Sequence, residues 1–352
     1  MKGRVLFLAC LAAAWFTLSA AAGPTLDIYW IDVEGGAATL IVTPAKQSIL
    51  IDTGWAQGPS ATRIHDTAAQ AGVRKIDYLI LTHFHLDHFG GAAELATLMP
   101  IGIVLDNGIP DHNPDGLFDG GAFTAMIQPY RNFKADRRMV IEPGQNIPLW
   151  QLGGTAPLGF RCMGARGHFV HGAKDAANPL CGGVPDHAVD KTDNRNSVVS
   201  LLQFGPFKFF DGGDLTWNME KELVCPVNSI GQVDIYQADH HGVDLSNNPL
   251  LVRSLAPTVS VMDNGARKGG SEATLATFRS VTSIQTMYQL HRDIRGGKEF
   301  NTDDQFIANT NEKCAGNYIK CSVDPSGKSY TISIPATGFA KTYQTKSEKD
   351  RQ

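Results

Sequence analysis

Four side chains able to bind a metal ion fall between positions 83 and 88: His83, His85, Asp87 and His88. Imidazole and carboxylate donors together suit zinc, and iron or manganese fit the same donors. His83 and His85 are two residues apart, so both can turn to one side of an extended loop. Asp87 and His88 sit further on and can serve a second ion. The preceding residues, 76–81, form a mostly apolar run that reads as a buried strand. Gly90 and Gly91 follow, and residues 92–98 can start a helix. A strand that ends in a ligand cluster and opens a helix has the layout of a site. The competing reading, four solvated loop residues, gives no reason for the cluster to stand beside an apolar strand.

Other segments must position this loop. Leu26, Ile28 and Trp30 alternate with more polar neighbours, Glu34-Gly35-Gly36 makes a tight turn, and residues 39–42 return as a strand. Residues 48–51 form the next strand, closed by Asp52-Thr53-Gly54. Residues 59–72 read as a helix, with Ile64, Ala68 and Ala71 on one face and Gly72 as its stop; His65 falls near the surface. A short strand at 101–105 leads to Asp106-Asn107-Gly108. From 106 to about 190 the chain is rich in Gly, Pro, Asp and Asn, with a helix expected over 123–137 and with His168, His171 and His187 in loops. Such an insertion is either a lid or substrate wall, or a passive surface excursion. Strands resume at 197–202, 206–210, 233–238, 258–262, 286–290 and 328–335. A short helix is expected at 219–224, a second one capped by Ser271 runs to about 281, and a charged tail starts at 341.

The 352-residue length suits one large or two small domains, and the hydrophobic (43%) and charged (19%) fractions are those of an ordinary globular protein. Residues 1–22 have the pattern of a secretory signal peptide. Lys2 and Arg4 precede an apolar run, and Ser19-Ala20-Ala21-Ala22 offers small residues for cleavage. The run is short for a membrane span of about 20 residues. The expected location is therefore periplasmic or secreted, with membrane contact only during export. Losing Lys2 and Arg4 makes the chain more acidic than its formal −4, which gives no broad nucleic-acid footprint. An export route allows disulfides. Each closing a short loop, Cys314–Cys321 and Cys162–Cys181 are the expected pairs, with Cys225 a buried free thiol.

The THFHLDH run from Thr82 to His88 resembles the HxHxDH signature of the metallo-β-lactamase superfamily. IDVEGGAATLIV at 31–42 and ILIDTG at 49–54 resemble its opening strands. FFDGGDL at 209–215 resembles its bridging-aspartate motif, and ADHHG at 238–242 its late histidine motif. The DHHG form and the DVEGG opening are most similar to the competence-protein branch, in particular its secreted stand-alone members. The resemblance covers roughly residues 27–291. It implies an αββα four-layer sandwich over 23–340 and a supporting, non-ligand role for Asp52.

It also implies a binuclear centre. One ion, Zn2+ with Mn2+ or Fe2+ as alternatives, takes His83 and His85. The other takes Asp87, His88 and one histidine of the His240-His241 pair, and Asp214 bridges both. Adjacent residues of a straight strand point to opposite faces, so only one of the pair could coordinate. His241 is favoured as ligand, and His240 is left for proton transfer or substrate contact. Cations sharing a carboxylate and a water make hydroxide available near neutral pH, and Asp87 can orient it while ligating. The family's further histidine before the strand at 197 is absent: Asp193-Asn194-Arg195-Asn196 stands there. Either the first ion is held more weakly, or His168, His171 or His187 reaches in from the insertion. Arg267 and Lys268, in a Gly-rich turn, and His291, at a strand end, are the candidate substrate-binding residues; a basic pair there suits a phosphate or carboxylate.

The leading function is thus an extracytoplasmic metal-dependent hydrolase of phosphodiesters or esters. An extracytoplasmic nuclease and a non-catalytic binding protein that kept the fold are the alternatives. Intact-mass analysis of the exported protein should find residues 1–22 missing; a soluble cytoplasmic pool starting at Met1 would contradict export.

Overall fold

The computed structural model describes residues 23–117, 121–172, 177–347 and 349–351; the signal-like segment lies outside them. Two mixed sheets pack face to face. The first, in spatial order, runs Phe339–Gln344, Ser329–Ile334, Ile319–Val323, Leu26–Trp30, Thr39–Val42, Ser48–Ile51, Ile76–Ile80, Ile101–Asp106 and Arg137–Val140. The second runs Ile307–Asn309, Thr286–His291, Val259–Met262, Ile235–Gln237, Phe207–Asp211, Val199–Phe204, Leu158–Ala165 and His168–Phe169.

Strand periodicity sorts the apolar residues into layers, because successive side chains point to opposite faces. Ile49 and Ile51 face the second sheet, where they join Trp30, Phe160, Leu202, Phe209 and Val261 in one buried core. Leu50, between them, packs outward on Ile64 and Ala68 of the helix Ser60–Gln70 and on Leu95 of the helix Ala92–Leu98. In the second sheet Phe209 faces inward, while Phe210 faces Leu223, Leu251 and Phe278 on the outer helices. Helix, sheet, sheet, helix is the four-layer sandwich expected from the resemblance.

Parallel pairing then sets where loops collect. Ile49 pairs with Tyr78 and Tyr78 with Ile103 in parallel; in the other sheet Phe209, Ile235, Val259 and Thr286 are linked the same way. Parallel neighbours end on the same side of a sheet, so the segments after Ile80, Asp211, Gln237 and Met262 converge on one edge of the sandwich. These segments carry His83 to His88, Asp214, His240-His241 and Asp263.

Several expectations change. The stretch from 106 to 190 is not one irregular excursion, since Arg137–Val140 extends the first sheet and Leu158–Ala165 the second. The helix expected over 123–137 is two short helices, Ala122–Met126 and Gln128–Asn132, with Pro129 opening the second. The disulfide is Cys181–Cys225. Cys162 and Cys321 are strand residues turned into the core and stay free, as does half-buried Cys314. Short loop closure is a poor guide here because strand direction removes Cys162 and Cys321 from reach. Among the described residues no helix is long and apolar enough to cross a membrane.

The Leu202 side chain lies wholly inside the inter-sheet core. Leu202→Ala should lower unfolding free energy by about 2–5 kcal/mol, read from denaturant midpoints; an unchanged midpoint would contradict this packing.

Candidate metal centre

Asp214 is the hub. It follows the strand Phe207–Asp211 through Gly212 and Gly213, and its carboxylate is buried. Four imidazoles surround it through Nε2: His88 at 3.2 Å, His240 at 3.4 Å, His241 at 3.6 Å and His83 at 3.9 Å. Asp87 joins the group, 3.2 Å from His241 and 3.6 Å from His88. One donor atom from each of Asp87, His88, Asp214 and His241 falls within 4.8 Å of the others, and all four residues are buried.

Each histidine is aimed by a contact on its far nitrogen. His88 Nδ1 lies 2.7 Å from Asp52, whose carboxylate also accepts the Thr82 backbone N–H and hydroxyl. His83 Nδ1 meets the Thr82 hydroxyl at 3.0 Å and, more distantly, Ser197 Oγ. His241 Nδ1 faces Asp263 at 3.3 Å, and His240 Nδ1 faces Ser246 at 3.4 Å. Anchoring one ring nitrogen leaves the other for a ligand and fixes the ring plane. Asp52 thus takes the supporting place expected of it. Asp263 and Ser246 had no sequence signal beyond their position after a strand or a histidine motif.

The HxHxDH loop is held from two sides. Phe84 N–H donates to Asp193, and Thr53 N–H and hydroxyl both donate to the His88 carbonyl. Gly90 and Gly91 sit where an added Cβ would lie 2.3 and 2.2 Å from the Leu86 and Thr53 carbonyls, so the turn into the helix needs both glycines.

His240 and His241 depart from the straight-strand expectation. Both adopt left-handed backbone with φ of 54°, which is uncommon outside glycine. The kink turns both rings toward Asp214 instead of to opposite faces. His240 keeps some exposure while His241 is buried.

The second cluster of donors is looser. His85 stacks edge-on against His83, and its Nε2 lies 3.0 Å from Asp115, which also accepts the Asp193 N–H. Asn194, in the turn where a histidine is missing, is buried with its Oδ1 unpartnered and its amide nitrogen 3.4 Å from His240 Nε2. The insertion therefore brings Asp115 to the site. Exposed His168 and His171 carry no contact to it, and His187 stacks on Trp217.

The charges are strongly coupled. Burial pushes the Asp214 carboxyl up, but His88, His240 and His241 outweigh it and hold its pKa well below the usual range. Burial works against protonated His88, yet Asp214, Asp52 and Asp87 raise its pKa well above normal. His83 goes the other way, held well below its usual value by burial and by His88. Behind the site, burial raises Asp211 to about 7, and burial together with Glu220 raises Asp239 well above the carboxylate range.

The residues fit divalent cations. Nε2 of His83 and of His88 and Oδ1 of Asn194 are buried polar atoms without a hydrogen-bond partner, and such groups are costly unless satisfied. The two imidazole nitrogens face the Asp214 carboxylate. His83 and His85 would hold one ion, Asp87, His88 and His241 the other, and both groups would share Asp214.

The three substrate-binding candidates separate. Lys268 Nζ contacts Asp87 and stands 4.7 Å from the Trp55 ring centre, at the mouth of the site. Arg267 turns away to Glu312, two-thirds exposed. His291 is fully buried against Asp32, which leaves it no open surface for substrate.

The family model described as Metallo-beta-lactamase superfamily matches residues 31–172. Similar curated proteins include Recombination protein 2 of Haemophilus influenzae, 26% identical over 246 residues, covering 69% of this chain and 24% of that protein. A UPF0173 metal-dependent hydrolase of Koribacter versatilis is 41% identical over 71 residues, covering 20% of this chain and 27% of that protein. The chain spans about a quarter of the length of these two relatives. Among solved structures, CmlA, a diiron beta-hydroxylase from Streptomyces venezuelae, aligns with a TM-score of 0.42 at 13% identity, over 76% of this chain and 53% of that one.

Asp52 touches no position a metal would occupy but sets the His88 ring. Asp52→Asn should weaken zinc binding roughly 10–100-fold in competition titrations with a chromophoric chelator. Wild-type affinity would show that His88 needs no such support.

Proposed function

We propose that this protein is a metal-dependent hydrolase acting on phosphodiester or ester bonds outside the cytoplasm. The observation that carries the reading is the convergence of four Nε2 atoms and the Asp87 carboxylate on buried Asp214, with His83, His88 and His240 hydrogen-bonded through Nδ1. Divalent cations held there supply a water of lowered pKa and a Lewis acid for the developing negative charge.

The remaining roles belong to the chain. Asp87, fixed between His88 and His241, orients the attacking oxygen through its free lone pairs. His240 is the least buried imidazole on Asp214, and burial holds its pKa below the usual histidine value. It is therefore available in the neutral form to take up a proton and return it to the leaving group. Lys268, beside Asp87 and backed by Trp55, meets an anionic substrate at the entrance. Asp115 and the surrounding insertion form one wall. The export reading rests on the sequence of residues 1–22.

Purified protein stripped of metal and reloaded with zinc or manganese should hydrolyse bis-p-nitrophenyl phosphate or a p-nitrophenyl ester, and lose that activity with chelator or with Asp214→Asn. Activity that survives both treatments would end the metal-hydrolase reading. Including single-stranded DNA in the panel separates a nuclease from a small-molecule enzyme.

Lys268→Ala should raise KM for a phosphodiester roughly tenfold, the loss of one charge-assisted contact, and leave a neutral ester nearly unchanged. Arg267→Ala should leave both unchanged. Equal losses on both substrates for Lys268→Ala would assign Lys268 a structural role.

A further inference from the structure

We propose that Asp32, Glu34, His291 and Cys314 form a second metal site, separate from the histidine centre and suited to zinc. Three distant segments build it. Asp32 and Glu34 lie in the turn after the strand Leu26–Trp30. His291 ends the strand Thr286–His291. Cys314 lies in the loop after Ile307–Asn309. One donor atom from each of the four residues falls within 4.8 Å of the others.

Taken over either oxygen of each carboxylate, the spacing is near that of a ligand shell. Cys314 Sγ lies 3.2 Å from Asp32 Oδ2, 3.8 Å from His291 Nε2 and 4.0 Å from Glu34 Oε1. His291 Nε2 lies 3.7 Å from Glu34 Oε2 and 2.8 Å from Asp32 Oδ1. Donors bound at about 2.0–2.3 Å around a tetrahedral zinc stand roughly 3.3–3.8 Å apart. Only the His291–Asp32 contact is clearly shorter, as befits a hydrogen bond that a metal would replace.

A nucleophilic thiol relay does not fit the same atoms. In such a relay the histidine presents one nitrogen to the nucleophile and the other to the carboxylate. Here the thiol and Asp32 both meet Nε2, and His291 Nδ1 is buried without a partner. The donors converge on one point instead of forming a line.

Charge and access are also suitable. A divalent cation binds thiolate and neutral imidazole, so its uptake at these donors releases protons to solvent. Arg63 Nη1 lies 2.8 Å from Asp32 Oδ2 and from Glu34 Oε1, the oxygens that face Cys314, so a metal would compete with it for them. Asp32 and His291 are fully buried, whereas Glu34 and Cys314 are partly open and give an entry path. The site also adjoins the proposed active site. Gly35 packs on Gly265 and Lys268, and Ala37 N–H donates to the Asp87 carbonyl. A metal here would brace the loop that borders Asp87.

Sulfur makes the two sites separable, because the histidine centre has only nitrogen and oxygen donors. Stripped exported protein, which lacks Cys10, should develop a thiolate-to-cobalt absorption band in the near ultraviolet when titrated with Co2+. Cys314→Ser should lose that band but keep the visible cobalt bands of the histidine centre and a wild-type melting profile. Zinc should slow modification of Cys314 by a thiol reagent at least tenfold, Cys162 and Cys321 being buried. Visible cobalt bands with no thiolate band in the wild type, or a Cys314 reaction rate unchanged by zinc, would overturn the proposal and leave Arg63 as the resident cation.

Discussion

The structure depends on one buried carboxylate, that of Asp214, and on the imidazoles gathered round it. A carboxylate taken out of water is costly unless positive charge or good donors meet it. Here His88, His240 and His241 supply that charge, and the imidazoles come from loops of two different sheets to reach it. The sandwich provides this, since both sheets end parallel strands on the same edge. The price is visible in the backbone: His240, His241 and Asp52 all hold left-handed conformations. Strain of that kind persists where surrounding contacts fix it. Here the hydrogen bonds from His240 N–H to Gly213 and from Gly270 N–H to His241 hold it.

Around this hub lies a ring of contacts that orients the imidazoles. Asp52, Thr82 and Ser246 each hold a far nitrogen by a hydrogen bond, and Asp263 stands 3.3 Å from that of His241. Further back, Glu220 and Asp239 are both buried, and burial raises Glu220 to about 7. A pair of this kind holds a proton near neutrality, which keeps extra negative charge from accumulating behind Asp214. Lys268 completes the local balance at the solvent side by pairing with Asp87.

Much of this was legible in the sequence, for a physical reason. Ligands on one tight loop, such as His83 to His88, must be near each other whatever the fold does. The continuous apolar run of Ser48–Ile51 likewise declares a strand with two buried faces. What escaped were contacts decided by tertiary geometry. The straight-strand argument for choosing between His240 and His241 failed because the backbone kinks there. The missing histidine before residue 197 led to a search among insertion histidines, whereas the insertion brings Asp115, and Asn194 already stands in the turn. The basic pair Arg267-Lys268 reads as a unit in sequence, but a single turn sends one side chain to Asp87 and the other to Glu312. Cys181 found Cys225 through Asn178, whose amide bonds to the Val224 carbonyl and aligns the two segments; no loop-length rule contains that contact.

The central claim is that Asp87, His88 and His241 form a ligand set with Asp214. Anomalous diffraction from crystals grown with zinc, recorded on both sides of the zinc absorption edge, tests it most directly. The account predicts a peak about 2.0–2.2 Å from Asp214 and from the Nε2 atoms of His88 and His241. No peak there, with Lys268 still seated on Asp87, would contradict it.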